Sequence, residues 1–227
     1  MNTIHMKTPI YKDLLRILHE NFSPYAGLTG KGGNKEPDGW GQSSPVFKEL
    51  ITQYSPEFII EVGTWKGASA IHMADMAKSL ELEFVILCVD TWLGSPIHWK
   101  TAEYRKELGI EHGYPTIYFE FLRNVIASGC AENILPLPLT SGLASRWLLE
   151  LSLQADIIYI DADHEALSVY TDMIDYWNLV RPGGVMFGDD YIADWPGVVQ
   201  AVQKFGAKIS QTPLIFKEKW LFKKGTV

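Results

Sequence analysis

Two spacings of apolar residues alternate along this chain. Four short runs are apolar almost without interruption: Glu57–Val62, Glu83–Val89, Asp156–Ile160 and Val185–Gly188. Rich in Ile, Val, Tyr and Phe, they predict strands buried on both faces, as in a parallel sheet. Between them, apolar residues recur every three or four positions, the period of an amphipathic helix. Helices are expected at Ser44–Tyr54, from Ser69 to about Leu80, at Tyr118–Ala127, at Ala144–Leu153, before Arg181-Pro-Gly-Gly184, and at Pro196–Phe205. A further strand, Asn133–Leu139, holds Pro136 and Pro138, which cannot donate ladder bonds and so place it at an edge. Lys208–Lys217 and Lys219–Lys223 read as a closing antiparallel hairpin. The sum is an α/β fold: a doubly wound, Rossmann-like, mostly parallel sheet of seven strands, with a C-terminal antiparallel hairpin and helices on both faces.

Two stretches do not fit this rhythm. Residues 1–43 form an appendage to the main domain, 44–227. Its Pro9–Glu20 predicts a helix for the domain edge or for a partner subunit in a homodimer. Its Gly27–Gly41 is a polar, Gly-rich loop. Gly30-Lys31-Gly32 lacks the preceding strand, the Gly spacing and the Ser or Thr of a phosphate loop. A surface loop, or a lid with Trp40 as its apolar contact, is expected there. The second stretch, Gly94–Gly129, exceeds a simple crossover and is rich in His and aromatics. Insertions at the carboxyl edge of such sheets line pockets.

Composition alters this picture little. The chain of 227 residues is 47% hydrophobic and 21% charged, ordinary for a soluble domain. A net charge of -7 argues against nucleic acid or an anionic membrane as partner. No apolar stretch reaches spanning length. Two cysteines, Cys88 and Cys130, read as reduced thiols, so a cytoplasmic location is expected.

The candidate chemistry gathers at strand ends. In the βαβ unit within Ala155–Tyr191 both strands point the same way, which brings Asp161, Asp163, Asp189 and Asp190 to one sheet edge. Two carboxylates about 4 Å apart repel by roughly 4 kcal/mol at an effective dielectric of 20. Such a cluster asks for a cation, and hard oxygen donors without Cys suit Mg²⁺ or a similar ion. Strand alternation would separate Asp189 from Asp190 unless a turn begins there.

Strand Glu57–Val62 runs into Gly63-Thr-Trp-Lys-Gly67-Ala-Ser69 and a helix. A dinucleotide fingerprint needs Gly where Trp65 stands. A ligand without pyrophosphate, such as S-adenosylmethionine with its cationic part facing Glu61, is the competing reading. Asp90 ends the second strand, where such folds bind ribose hydroxyls, though an Asp there can also cap the next turn.

From Ser44 onward the chain resembles the class I S-adenosylmethionine-dependent methyltransferases. It looks closest to the metal-dependent small-molecule O-methyltransferases of the catechol and antibiotic-sugar types. Glu61–Ser69 is similar to their cofactor turn, with a bulky residue for the middle Gly. The resemblance implies Gly63, Gly67 and Ser69 at the methionine portion, Asp90 on the ribose and Ser141 near the adenine. Ile160-Asp161-Ala-Asp163-His164 and Gly188-Asp189-Asp190-Tyr191 are similar to the metal motifs. They imply Asp161, Asp189 and Asp190 as Mg²⁺ ligands, with Asp161 also beside the cofactor. The catechol type carries its base, a Lys, where His164 stands, and the sugar type an Asp where Asp163 stands; Asp163 is favoured. The implied activity is metal-dependent O-methylation of a small molecule with neighbouring oxygens. The alternatives are a cofactor binder without methyl transfer and a metal-independent N- or C-methyltransferase.

Overall fold

The computed structural model describes residues 11–37, 39 and 44–226. A seven-stranded sheet has the order β3-β2-β1-β4-β5-β7-β6. Its strands are β1 (Phe58–Val62), β2 (Val85–Val89), β3 (Ile134–Leu137), β4 (Ala155–Ile160), β5 (Val180–Gly188), β6 (Leu214–Phe216) and β7 (Lys219–Lys223). The first five pair in parallel; β7 runs antiparallel to both β5 and β6.

Alternation along each central strand feeds two cores. Phe58, Ile60, Val85, Leu87, Ile158 and Ile160 face one layer, built on α1 (Tyr11–His19), α7 (Ser141–Glu150), α8 (Ala166–Trp177) and α9 (Pro196–Ile209). Ile59, Ile86, Cys88, Ile157 and Tyr159 face the other, built on α2 (Pro45–Tyr54), α3 (Ala68–Ser79) and α6 (Ile117–Ala127). Both faces are covered, so β1, β2 and β4 are buried at every position, as their unbroken apolar runs require.

The fold class is the one expected, and β3 lies at the edge. Its free side is occupied: His19 Nε2 bonds the Pro136 carbonyl at 2.8 Å and Tyr25 Oη donates to the Ile134 carbonyl at 2.8 Å. Side chains thus cover an edge that would otherwise invite pairing. Leu14 of α1 is fully buried in the domain's own core. Residues 19–34 run on as a tethered segment, with Asn34 N donating to Asn124 Oδ1. Trp40, the expected lid contact, lies outside the described residues.

Four boundaries differ from expectation. β5 begins at Val180, because Arg181-Pro-Gly-Gly184 forms a register shift inside the strand, pinned by the Arg181–Asp156 ion pair, instead of ending the helix before it. α7 starts at Ser141, with Thr140 as its cap accepting from Leu143 N. α9 continues to Ile209, which confines β6 to three residues. The aromatic insertion holds two short helices, α4 (Pro96–Lys100) and α5 (Ala102–Glu107), too brief to show a period. Among the described residues no helix is long and apolar enough to cross a membrane.

Candidate active site

Helix α3 leaves β1 toward one face of the sheet, and α8 leaves β4 toward the other. Between these neighbouring strands the carboxyl edge opens a crevice, the switch point where such sheets bind ligands. A cleft of about 730 Å³ lies there. Of the expected residues, Gly63, Ser69, Asp90, Ser141, Asp161, His164, Asp189 and Asp190 line it; Glu61, Gly67 and Asp163 do not.

The turn after β1 is built by close backbone packing. Gly63 has φ +83, and a Cβ on it would collide with the Asp161 carbonyl, so only glycine lets the ends of β1 and β4 meet. Trp65 takes φ +51, the left-handed conformation a glycine would adopt at no cost. It is held there from both sides. Asp90 Oδ2 accepts from Thr64 N and Trp65 N, each at 2.9 Å, and Trp92 Nε1 donates to the Trp65 carbonyl at 2.8 Å. The Trp65 indole stacks on His98 of α4, with ring centroids 4.4 Å apart. Lys66 pairs with Glu107 of α5 and Glu120 of α6 at 3.4 Å, tying the aromatic insertion to the turn. Asp90 therefore does cap the turn, and Oδ1 accepts from Trp92 N at 2.7 Å as well.

Glu61 lies behind the turn, fully buried, and does not face the cleft. It accepts from Ser69 Oγ and from Thr64 Oγ1 at 2.7 Å. Burial pushes its carboxyl up to about 7 against the pull of these bonds. Gly67, at φ +91, caps α3.

On the other side of the crevice the acids are already engaged. Asp161, directly after β4, accepts from Tyr159 Oη at 2.9 Å. Burial, then the nearby Asp189 and Asp190 charges, push its carboxyl up to about 7. β5 ends at Gly188, and Asp190 takes φ +63, so strand alternation does stop at this point. The two carboxylates still diverge. Asp189 turns inward to Lys219 Nζ, 2.5 Å from its Oδ2, and its Oδ1 accepts from Asp190 N at 2.9 Å. Asp190 Oδ2 bonds His164 Nε2 at 2.8 Å, and this bond raises the imidazole pKa over the opposing effect of burial. His164 stacks on Trp195, centroids 3.9 Å apart. Asp163 spends its Oδ1 on the amides of His164 and Glu165.

These acids do not fit a divalent ion as they stand. Both Asp189 oxygens are taken, one by a lysine, and among the described residues no three His, Cys, Asp or Glu side chains form a group that could hold one. Sequence reasoning missed Lys219 and Tyr159. The signal for Lys219 was present: it shares a strand face with Leu221, a core position, where an unpaired charge does not belong.

A family model described as "Methyltransferase domain" matches residues 60–191. No curated protein matches the chain. Among solved structures, an O-methyltransferase from Bacillus cereus in complex with SAH has 14% identity and a TM-score of 0.57, over 82% of each chain. The O-methyltransferase NovP has 18% identity and a TM-score of 0.53, over 79% of this chain and 77% of its own. CalS11, a TDP-rhamnose 3'-O-methyltransferase of calicheamicin biosynthesis, has 15% identity and a TM-score of 0.55, over 78% and 77%. At such identities the likeness is one of fold. The family match is more particular, since it runs from within β1 through the glycine turn to Tyr191, just past Asp190. The chain belongs to that family and is a class I S-adenosylmethionine-dependent methyltransferase.

Proposed function

We propose that the chain methylates a hydroxyl of a small aromatic molecule, with His164 taking the hydroxyl proton. The observation that carries this is the His164–Asp190 bond at the cleft. With Nε2 bonded to a carboxylate, Nδ1 is left as the acceptor, the arrangement of an oriented base. S-adenosylmethionine supplies the methyl group on a sulfonium leaving group, so the chain has to hold, orient and deprotonate.

The residues present fit that cofactor. Gly63, Ser69, Asp90, Ser141 and Asp161 would hold it; Asp90, already caged by amides, keeps lone-pair capacity for a ribose hydroxyl. Asp90, which lines the cleft, forms no ion pair among the described residues, which suits a cationic ligand. Trp65, His98 and Tyr104 line one wall of the cleft, and His164 and Trp195 another, a setting for a planar acceptor.

Acidity points the same way. Full proton transfer from a phenol near pKa 10 to an ordinary imidazole costs roughly 5 kcal/mol, and Asp190 reduces that gap. An alcohol as weakly acidic as water would cost more than twice as much. The expected neighbouring oxygens followed from chelation, and no step here runs through a metal. Asp163, favoured by the resemblance, gives way to His164 because its carboxylate serves backbone amides outside the cleft lining.

Measuring S-adenosylhomocysteine formation over a panel of phenols and aliphatic alcohols tests the reading. Phenols should turn over, and His164→Ala should lower kcat by about 10²–10⁴ with cofactor affinity kept. Tight cofactor binding without turnover of any hydroxyl acceptor would make the chain a binder instead.

A further inference from the structure

Lys219 is fully buried, and lysine is almost never so without a partner. Its ammonium meets Asp189 Oδ2 at 2.5 Å and Tyr159 Oη at 3.3 Å, and lies 5.1 Å and 5.3 Å from the ring centres of Phe47 and Tyr159. We propose that Lys219 is the resident cation of the acid cluster: it fills the place a divalent ion would need at Asp189, so the protein holds no such ion there until the lysine is removed.

Three observations meet in this assignment. An ion on Asp189 would have to bind the carboxylate oxygen that the ammonium already bonds, and two cations cannot share that place. The second oxygen is engaged by the Asp190 amide, so the carboxylate cannot turn to offer it without breaking the start of the post-β5 turn. The lysine cannot simply move aside either, because it is walled by Phe47, Tyr159 and the sheet, with no exposed surface toward which to retreat.

The cation also acts beyond Asp189. Tyr159 Oη accepts from Lys219 and donates to Asp161 Oδ2, so a chain of three groups links the buried ammonium to a carboxylate lining the cleft. Lys219 is thus a positioning residue. Through Asp189 it fixes the turn carrying Asp190, whose carboxylate bonds His164 from the loop after β4, and through Tyr159 it fixes Asp161. The inference takes the cleft as the methyl-transfer site, but its test reads metal binding and needs no acceptor, so the two can fail separately.

The full chain, stripped with EDTA, is titrated with Mn²⁺ and free ion is followed by electron paramagnetic resonance. The wild-type protein should show no saturable site below about 1 mM. Lys219→Met, which removes the charge and keeps most of the stem, should gain one site at least about tenfold tighter, and Asp189→Asn added to it should abolish that site. Lys219→Arg should stay without one. A stoichiometric wild-type Mn²⁺ site lost on Asp189→Asn overturns the proposal, as does a folded Lys219→Met with no gain. The wild-type titration decides the matter even if Lys219→Met does not fold.

Discussion

The two walls of the crevice handle buried acid in opposite ways. On the β1–β2 side, Glu61 and Asp90 are met by hydroxyls, backbone amides and the Cys88 thiol, from residues 61 to 92. On the β4–β5 side, Asp189 and Asp190 are met by cationic or titratable groups, Lys219 and His164. On the first wall Asp90 opens on the cleft with no cation of the described residues beside it; on the second, Asp189 and Asp190 are each bonded by such a group of the chain itself. That difference is what supports the proposed division, with the cationic cofactor on the first wall and proton chemistry on the second.

The contrast can be broken most severely at Lys219. Removing one partner of a buried pair leaves an uncompensated charge, so Lys219→Met should cost about 3–5 kcal/mol in denaturant unfolding. Adding Asp189→Asn should recover much of it. If Lys219→Met is nearly neutral, the second wall is not balanced from within.

Glu61 tests the first wall. Burial raises its carboxyl to about 7 in the folded state, from an unfolded value near 4.5. The folded chain therefore binds this proton more tightly, and its stabilising share is full below about 4.5 and lost as pH rises through about 7. By this group alone, stability should fall by at most about 3 kcal/mol across that window. Asp161, raised in the same sense, adds to the slope. Glu61→Gln, neutral at every pH, should flatten the profile of unfolding free energy; an unchanged slope would show that Glu61 is not proton-linked to folding.

The smallest expected effect lies at Trp65. Trp65→Gly relieves a left-handed backbone but gives up the stacking on His98, two terms of opposite sign and each about 1 kcal/mol. Stability should change by less than about 1 kcal/mol, while KM for the acceptor rises. A change confined to cofactor affinity would remove Trp65 from the acceptor wall.

How far the chain could be read follows the same division. The Glu61–Ser69 turn and Asp90 were legible because strand, glycine, helix and acid succeed one another within thirty residues, each with its own local signal. Trp65 misled only partly: it excludes a dinucleotide fingerprint, yet its backbone still does what a glycine would. Arg181-Pro-Gly-Gly184 reads as a break by residue type, but pairing with β4 on one side and the Asp156 ion pair keep it within a strand. Lys208–Lys217 reads as strand throughout because two-residue alternation and a helix end look alike over so few positions.

The sequence by itself determined the parallel sheet, its edge strand, the glycine turn and the arrival of acids at one edge, because apolar period and chain direction set those. Only the tertiary structure decided which group each acid meets. Lys219 lies thirty residues beyond Asp189 and reaches it through β7 pairing antiparallel to β5, a contact no spacing along the chain records. Whether a carboxylate needs a metal depends on which cation stands beside it, and that is a property of packing.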